Sequence, residues 1–305
     1  MQKIITIVVT HNASQWLGQC LGSLTRSTVS TKILVIDNQS TDDTPGKIRS
    51  QFPSIEVIEN SQNLGFGKAN NIGLTRALSE KADYVFLLNQ DAWVEADTIE
   101  KLISAQTPEY AIVSPVHLNG SGDALDSNFA CYVLNSLTPA VIEDIYFNRV
   151  HNIYDVHYIN AAAWLMNMKC VEIVGGFDPS FFMYGEDDNY ALRVKYHGFK
   201  IGICPSAKIY HDRQFRDDKK RDGLYVKKKS RMIYFKDVNQ ALIEKIIRFF
   251  FYQSKATLKD IVRLRPKNIF MDVQIITHVM VSFGEIVRSR QQAKQRCAFI
   301  RRQTH

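Results

Sequence analysis

Three consecutive acids, Glu186, Asp187 and Asp188, follow two Phe and a Tyr in the stretch FFMYGEDDNYALRV. A carboxylate beside aromatic bulk is costly unless paired, and one held in such surroundings can serve as a general base. The same acids equally suit a helix N-terminus, where the macrodipole favours negative charge. Asp91 closes the apolar run VFLLNQD. A carboxylate there suits a hard divalent cation that already bridges phosphates and needs few protein ligands, or simply caps a turn. His211 ends a later apolar run; imidazole joins such a site if it faces Asp91 and is otherwise structural. Asp37 and Asn38, in VIDNQSTDDT, can read a nucleobase edge or cap the helix that follows. NLGFGKANNIGL fails both phosphate-loop patterns, because Gln62 and Asn70 stand where glycines are needed. Gly65 and Gly67 still permit close backbone approach to a ligand, or a plain turn.

These residues share a position relative to the elements that carry them. KIITIVVT, TKILVID, SIEVIEN and DYVFLLNQD read as strands. ASQWLGQCLGSLTRS, KANNIGLTRALSEK and EADTIEKLISA read as helices between and after them. Near-continuous apolar strands alternating with helices imply a parallel sheet covered on both faces. Ligands then bind beyond the carboxyl ends of the strands, where Thr10, His11, Asn12, Asp37, Asn38 and Asp91 gather. AIVSPVHL, DVHYINAAAWLMNM and EIVGGFD are expected as strands and loops covering that edge, and KIGICPSAKIYH as a late strand ending at His211. Apolar-rich helices are expected at about 238–252, 255–264 and 272–288.

Charge divides the chain. Residues 1–212 carry 15 Lys/Arg against 23 Asp/Glu, and residues 213–305 carry 23 against 8. The expected organisation is an α/β unit over 1–212 and a basic, mainly helical extension over 213–305. Such a basic segment suits phosphate or an anionic membrane surface. Its leading run, RQFRDDKKRDGLYVKKKSR, reads as a lid over a diphosphate, a lipid-docking face or a homodimer surface. No stretch of 18 apolar residues occurs, so no transmembrane helix is expected. MQKIITIVVTHN reads as a buried strand rather than a signal peptide. The five cysteines form no C-x-x-C pair and read as free thiols of a reducing cytoplasm.

Taken in order, VVTHN, VIDNQSTDDT, NLGFGKANNIGL, LLNQD, NAAAWLMNMKCVEIVGGFDPSFFMYGEDDNYALR and the His after the late strand resemble family 2 glycosyltransferases, most of all the rhamnosyltransferase-like branch. The resemblance spans about residues 3–211. It implies the GT-A fold, a Rossmann-like, mostly parallel sheet flanked by helices. It also implies a UDP- or dTDP-sugar donor, Mg2+ or Mn2+, and a glycan or lipid-linked acceptor of surface polysaccharide synthesis. By the resemblance, Asp91 and His211 hold the metal, and Thr10, Asn12, Asp37, Asn38, Gly65 and Asn70 surround the nucleotide. Asp187 is then the base of an inverting transfer, Glu186 orients the acceptor, and Trp164 lines the acceptor pocket unless it belongs to the core. Asn89 replaces the first acid of the family's D-x-D, and Asn189 the second acid of E-D-x-D/E.

Two other classes fit the same fold: a non-catalytic nucleotide-sugar or glycan-binding module, and a nucleotidyltransferase. Intact Asp91, Asp187 and His211 weigh against the first. No nucleic-acid motif accompanies the basic charge, so no nucleic-acid partner is expected. The expected location is the cytoplasm, peripheral at the inner face of the membrane.

Overall fold

The computed structural model describes residues 2–134, 141–213 and 223–300. Its first part alternates as the apolar runs require. β1 (Ile4–Thr10), α1 (Leu17–Thr25), β2 (Lys32–Asp37), α2 (Thr44–Gln51), β3 (Glu56–Glu59), α3 (Phe66–Ser79) and β4 (Tyr84–Asn89) build a parallel half-sheet. β5 (Ala92–Val94), α4 (Thr98–Ala105), β6 (Tyr110–Asn119), α5 (Ser127–Leu134), α6 (Val141–Tyr146) and β7 (Tyr154–Val156) follow. β8 (Ala163–Asn167), α7 (Met168–Val174), α8 (Glu186–Tyr196) and β9 (Lys200–His211) complete the sheet region. The sheet runs β3-β2-β1-β4-β8-β6-β9-β5, with β7 paired to β9.

Alternate residues of the central strands feed two cores. Ile5, Ile7, Val85 and Leu87 face the α3, α7 and α8 side. Ile4, Val8, Phe86 and Leu88 face α1 and α4. Burial on both faces explains why these strands read as continuous apolar runs rather than alternating ones. Register then aligns the polar ends: Thr10 is opposite Asp37, and Val9 is opposite Asn89.

Two expectations for the middle of the chain are corrected. β8 does not cover the ligand edge; it pairs antiparallel with β4 and β6 inside the sheet. Glu172–Val174 of EIVGGFD is the end of α7, not a strand, and Gly175 ends that helix at φ 87°.

The chain continues as α9 (Gly223–Lys236), α10 (Leu242–Val262), α11 (Pro266–Val281) and α12 (Phe283–Ala293). Helix α9 falls on the basic run and was not expected from it. α10 passes unbroken through 253–254, and the break falls at 263–265, before Pro266. Proline suits the first turn of a helix and cannot continue one. Phe235, Phe249, Ile275, Val279 and Ile286 form a small core of their own among these helices.

Candidate active site

A cavity of about 850 Å³ lies along the carboxyl edge of the sheet, within the range typical of small-molecule sites. Strand ends supply one wall through His11, Asn38, Asn89, Gln90 and Asp91. The first turn of α8 supplies another through Glu186, Asp187 and Asp188, beside Tyr132 and Tyr158. Arg213 and Lys229 bring positive charge to the same cavity.

Asp91 and His211 meet because β5 and β9 pair antiparallel with Ala92 opposite His211. The Asp212 N–H donates to the Asp91 carbonyl at 2.8 Å and locks that register. His211 Nε2 lies 3.3 Å from Asp91 Oδ1, and Nδ1 lies 3.4 Å from Asp126 Oδ2. All three side chains are buried. Asp126 accepts from the Asn128 and Phe129 N–H groups and so caps α5. Burial alone would raise its pKa, but the Arg213 guanidinium and the Phe129 N–H outweigh burial and hold it below the ordinary range.

A carboxylate and an imidazole side by side at the strand ends fit a divalent cation. Among the described residues no cluster of three or more His, Cys, Asp or Glu stands ready to hold one. Asp91 and His211 are therefore a partial donor set, which suits an ion whose remaining ligands come from a diphosphate and water.

The three acids of α8 differ in surroundings. Glu186 is buried, and its Oε2 has no hydrogen-bond partner among the described residues. Burial, then the charge of Asp187, pushes its pKa up to about 8. Burial and Asp187 likewise push Asp188 up to about 6. Asp188 also lines the cavity. Asp187 Oδ2 accepts from the Tyr158 hydroxyl at 2.8 Å, and Oδ1 accepts from the Asp188 N–H at 2.9 Å. Burial and the nearby Asp187 and Asp188 charges push the Tyr158 hydroxyl far up, so it stays protonated and donating. Tyr132 packs edge-on against Tyr158, with centroids 5.2 Å apart.

The loop before α8 is held from two sides. Gly65, at φ 80°, lies so close to Phe182 that a Cβ there would stand 2.0 Å from the Phe182 carbonyl oxygen. This approach, rather than contact with the cavity, accounts for the glycine. From the other side, Tyr225 of α9 donates to the Met183 carbonyl at 2.9 Å. Lys236 of α9 sits buried 3.5 Å from Asp178 Oδ2. Asn189 turns inward and accepts from Arg193 Nε at 3.2 Å. Arg193 in turn donates to the carbonyls of Val174 and Gly176.

Of the residues expected around a nucleotide, Asn38 lines the cavity. Thr10 and Asp37 are buried behind it, where Thr10 Oγ1 donates to Asp37 Oδ1 at 2.8 Å and Ser40 donates twice more. Asn12 is exposed at the rim and accepts from the Thr41 N–H at 2.8 Å. Asn70 is buried in α3 and donates to the Phe66 carbonyl. In this structure Thr10, Asp37 and Asn70 support the strand ends, while Asn12 stands exposed beside them. Trp164 lies on the central strand β8, wholly buried between β4 and β6, stacked 6.0 Å from Phe177. This is the core alternative that the sequence left open. Tyr158 and Lys229 carried no recognisable motif. Tyr158 falls in an irregular stretch, and the only signal for Lys229 was the basic run around it. Residues 214–222 of that run lie outside the described residues.

The site thus combines a parallel half-sheet, a carboxylate–imidazole pair at its strand ends and acids on a facing helix. The sequence profile of Glycosyl transferase family 2 matches residues 5–130, so that stretch of the chain is similar to that family. It is 25% identical over 187 residues to the low-salt glycan biosynthesis hexosyltransferase Agl10 of Haloferax volcanii, covering 59% of each chain. It is also 25% identical over 239 residues to the N-acetylglucosaminyl-diphospho-decaprenol L-rhamnosyltransferase of Mycobacterium tuberculosis, covering 69% of this chain and 76% of the relative. The solved mannosyltransferase PcManGT of Pyrobaculum calidifontis, in complex with GDP-Man and Mn2+, superimposes with a TM-score of 0.56 at 16% identity. That match covers 92% of this chain and 75% of the other. The fold is thus GT-A, with a helical C-terminal region.

Proposed function

We propose that this chain transfers a sugar, with inversion, from a nucleotide-diphosphosugar to a hydroxyl of a glycan or lipid-linked acceptor in surface polysaccharide synthesis. The observation that carries the reading is one cavity lined by Asp91 at a strand end, with His211 buried 3.3 Å behind it, and by a hydrogen-bonded Asp187 on the facing helix. The catalytic unit is residues 1–212, and the basic extension that follows, helical over 223–236, 242–262, 266–281 and 283–293, adds Arg213 and Lys229 to the cavity. The relative with a decaprenol-linked substrate in its name supports a lipid-linked acceptor.

The residues divide the work. Asn38 lines the cavity and ties β2 to the Asn63–Gly65 loop beside the nucleotide, its amide donating to the Asn63 and Gly65 oxygens. Asp91 and His211 would hold a divalent cation, and the imidazole favours Mn2+ over Mg2+. When bound, that ion supplies positive charge to the departing diphosphate. Arg213 and Lys229 add fixed positive charge at the same cavity. Asp187 takes the proton of the acceptor hydroxyl as its oxygen bonds to the anomeric carbon. The bond from that carbon to the diphosphate breaks on the opposite face, which inverts the centre, by the logic of single displacement in glycosidases. Tyr158 orients Asp187 throughout. Glu186, protonated near neutrality, can donate to a second acceptor hydroxyl. A nucleotide-sugar donor supports a cytoplasmic reaction.

The test is product identity on incubation with dTDP-rhamnose, UDP-hexoses or GDP-mannose. Glycosyl transfer releases nucleoside diphosphate. Release of pyrophosphate would instead mark a nucleotidyltransferase, and binding without any turnover would mark a recognition module.

A further inference from the structure

Helices α10 and α11 bury one face and leave the other apolar. Lys245, Phe249 and Gln253 of α10 and Asp272, Ile275 and Val279 of α11 point inward. On the outer side of α10, Ile243, Ile247, Phe250, Phe251, Leu258 and Ile261 are all exposed. They recur at intervals of three, four and seven, so they form one continuous stripe. Phe270, Val273 and Met280 continue exposed apolar surface on α11. The turn between the helices carries Leu264, which is 86% exposed. Soluble chains rarely leave contiguous apolar surface of this kind without an occupant.

Charge identifies the occupant. Arg248, Lys255 and Lys259 are exposed and flank the stripe along one side of α10. Arg263, Arg265 and Lys267 surround Leu264 at the turn. Of the acids of α10 and α11, Glu244 is exposed at the start of α10 and the other two are withdrawn. Asp272 is buried and accepts from Thr257, and Asp260 is partly buried near Arg265. Lys255 Nζ lies 4.4 Å above the Phe251 ring, so the cation sits at the margin of the apolar surface. An apolar stripe with a cationic margin is the pattern of a helix lying in a bilayer interface. A two-fold contact with a second copy would set these cationic rows against each other, which like-charge repulsion opposes. Among the described residues no single helix is long and apolar enough to cross a membrane.

We propose that the outer face of the α10–α11 hairpin docks on an anionic lipid bilayer, with the stripe from Ile243 to Leu264 in the acyl boundary and the basic margin at the headgroups. The inference rests on exposure and charge alone and stands apart from the transfer chemistry. Its test is co-sedimentation of the full chain with vesicles containing phosphatidylglycerol and with pure phosphatidylcholine vesicles. The chain is expected to sediment with the first and much less with the second, and added salt is expected to release it. The pair Phe251→Ser with Leu258→Ser, and separately Lys255→Glu with Lys259→Glu, should each lower the vesicle partition by on the order of tenfold. These positions are exposed, so melting temperatures should stay near that of the parent. The charge pair keeps the test decisive if the apolar pair misfolds. Failure of the parent to bind the anionic vesicles overturns the proposal, as does unchanged binding by the charge pair. A dimer in ultracentrifugation that the apolar pair dissociates, without vesicle binding, assigns the face to a second copy and also overturns it. Donor turnover is not part of the readout, so this result and the transfer reading fail independently.

Discussion

The Tyr158 hydroxyl donates to Asp187 Oδ2 at 2.8 Å across 29 residues of sequence. The donor comes from the segment leading into β8 and the acceptor from the first turn of α8. Two elements with separate folding constraints therefore set the direction of one carboxylate. Tyr158→Phe keeps the ring and its packing on Tyr132 but removes this bond. A hydrogen bond to a charged group is worth roughly 1.5–3 kcal/mol, so kcat is expected to fall about tenfold or more. The dissociation constant for the donor should not change. Steady-state kinetics alongside calorimetric donor titration checks this, and a change confined to donor affinity would point to a role at the nucleotide instead.

Lys236 ties the helical extension to the loop that precedes the acids. Its ammonium is buried against Asp178, which also accepts from Ser180 and Ser289. Removing one member of a buried pair leaves an uncompensated charge. Lys236→Met is expected to lower unfolding free energy by about 3 kcal/mol and to reduce turnover, because the Asp178–Gly185 loop loses an anchor. Urea unfolding measures the first effect. An unchanged midpoint would show that the other partners of Asp178 suffice.

The acid cluster predicts a pH slope in stability. Burial and Asp187 raise the folded-state pKa of Glu186 from 4.5 to about 8. Between those values the folded state binds more protons than the unfolded chain. Stability from this group is thus fully present below about pH 4.5 and is lost as pH rises through about 8. Asp188 adds a smaller loss, between 3.8 and about 6. Glu186→Gln should flatten the fall in melting temperature between about pH 4.5 and pH 8. Parallel melting curves for parent and variant would remove Glu186 from this account.

The Asp91–His211 pair predicts linked metal and nucleotide binding. Nucleoside diphosphate should raise the melting temperature more with Mn2+ than without it. Both Asp91→Asn and His211→Ala should lose most of that Mn2+-dependent increment while keeping the smaller metal-free one. A thermal-shift series with and without Mn2+ reads this directly. An increment that survives both substitutions would place the ion elsewhere.

What the sequence made legible follows from where physics acts locally. The parallel half, β1 to β4, was readable because strands buried on both faces must be apolar throughout. Asp91 and His211 stood out because each closes such a run, although only the β5–β9 register brings them to 3.3 Å. β8 was not readable as a central strand, because its neighbours β4 and β6 are distant in sequence. The two readings of Trp164, acceptor pocket or core, could not be separated without that placement, and the ring lies in the core. Thr10 and Asp37 were correctly placed at strand ends, but their mutual hydrogen bond turns them away from the cavity. α9 was hidden because KKKSR reads as a charge run until its Phe235 and Lys236 are seen buried. The ranking of the three acids needed burial and partners, which spacing does not carry.

The central claim is that Asp187 removes the acceptor proton in a sugar transfer. The most direct measurement compares Asp187→Asn with the parent for donor affinity by calorimetry and for acceptor-dependent release of nucleoside diphosphate. Loss of general-base catalysis costs about 10²–10⁴-fold. The account predicts a turnover loss of that size with donor affinity unchanged. Acceptor-dependent release that continues at the parental rate would contradict it.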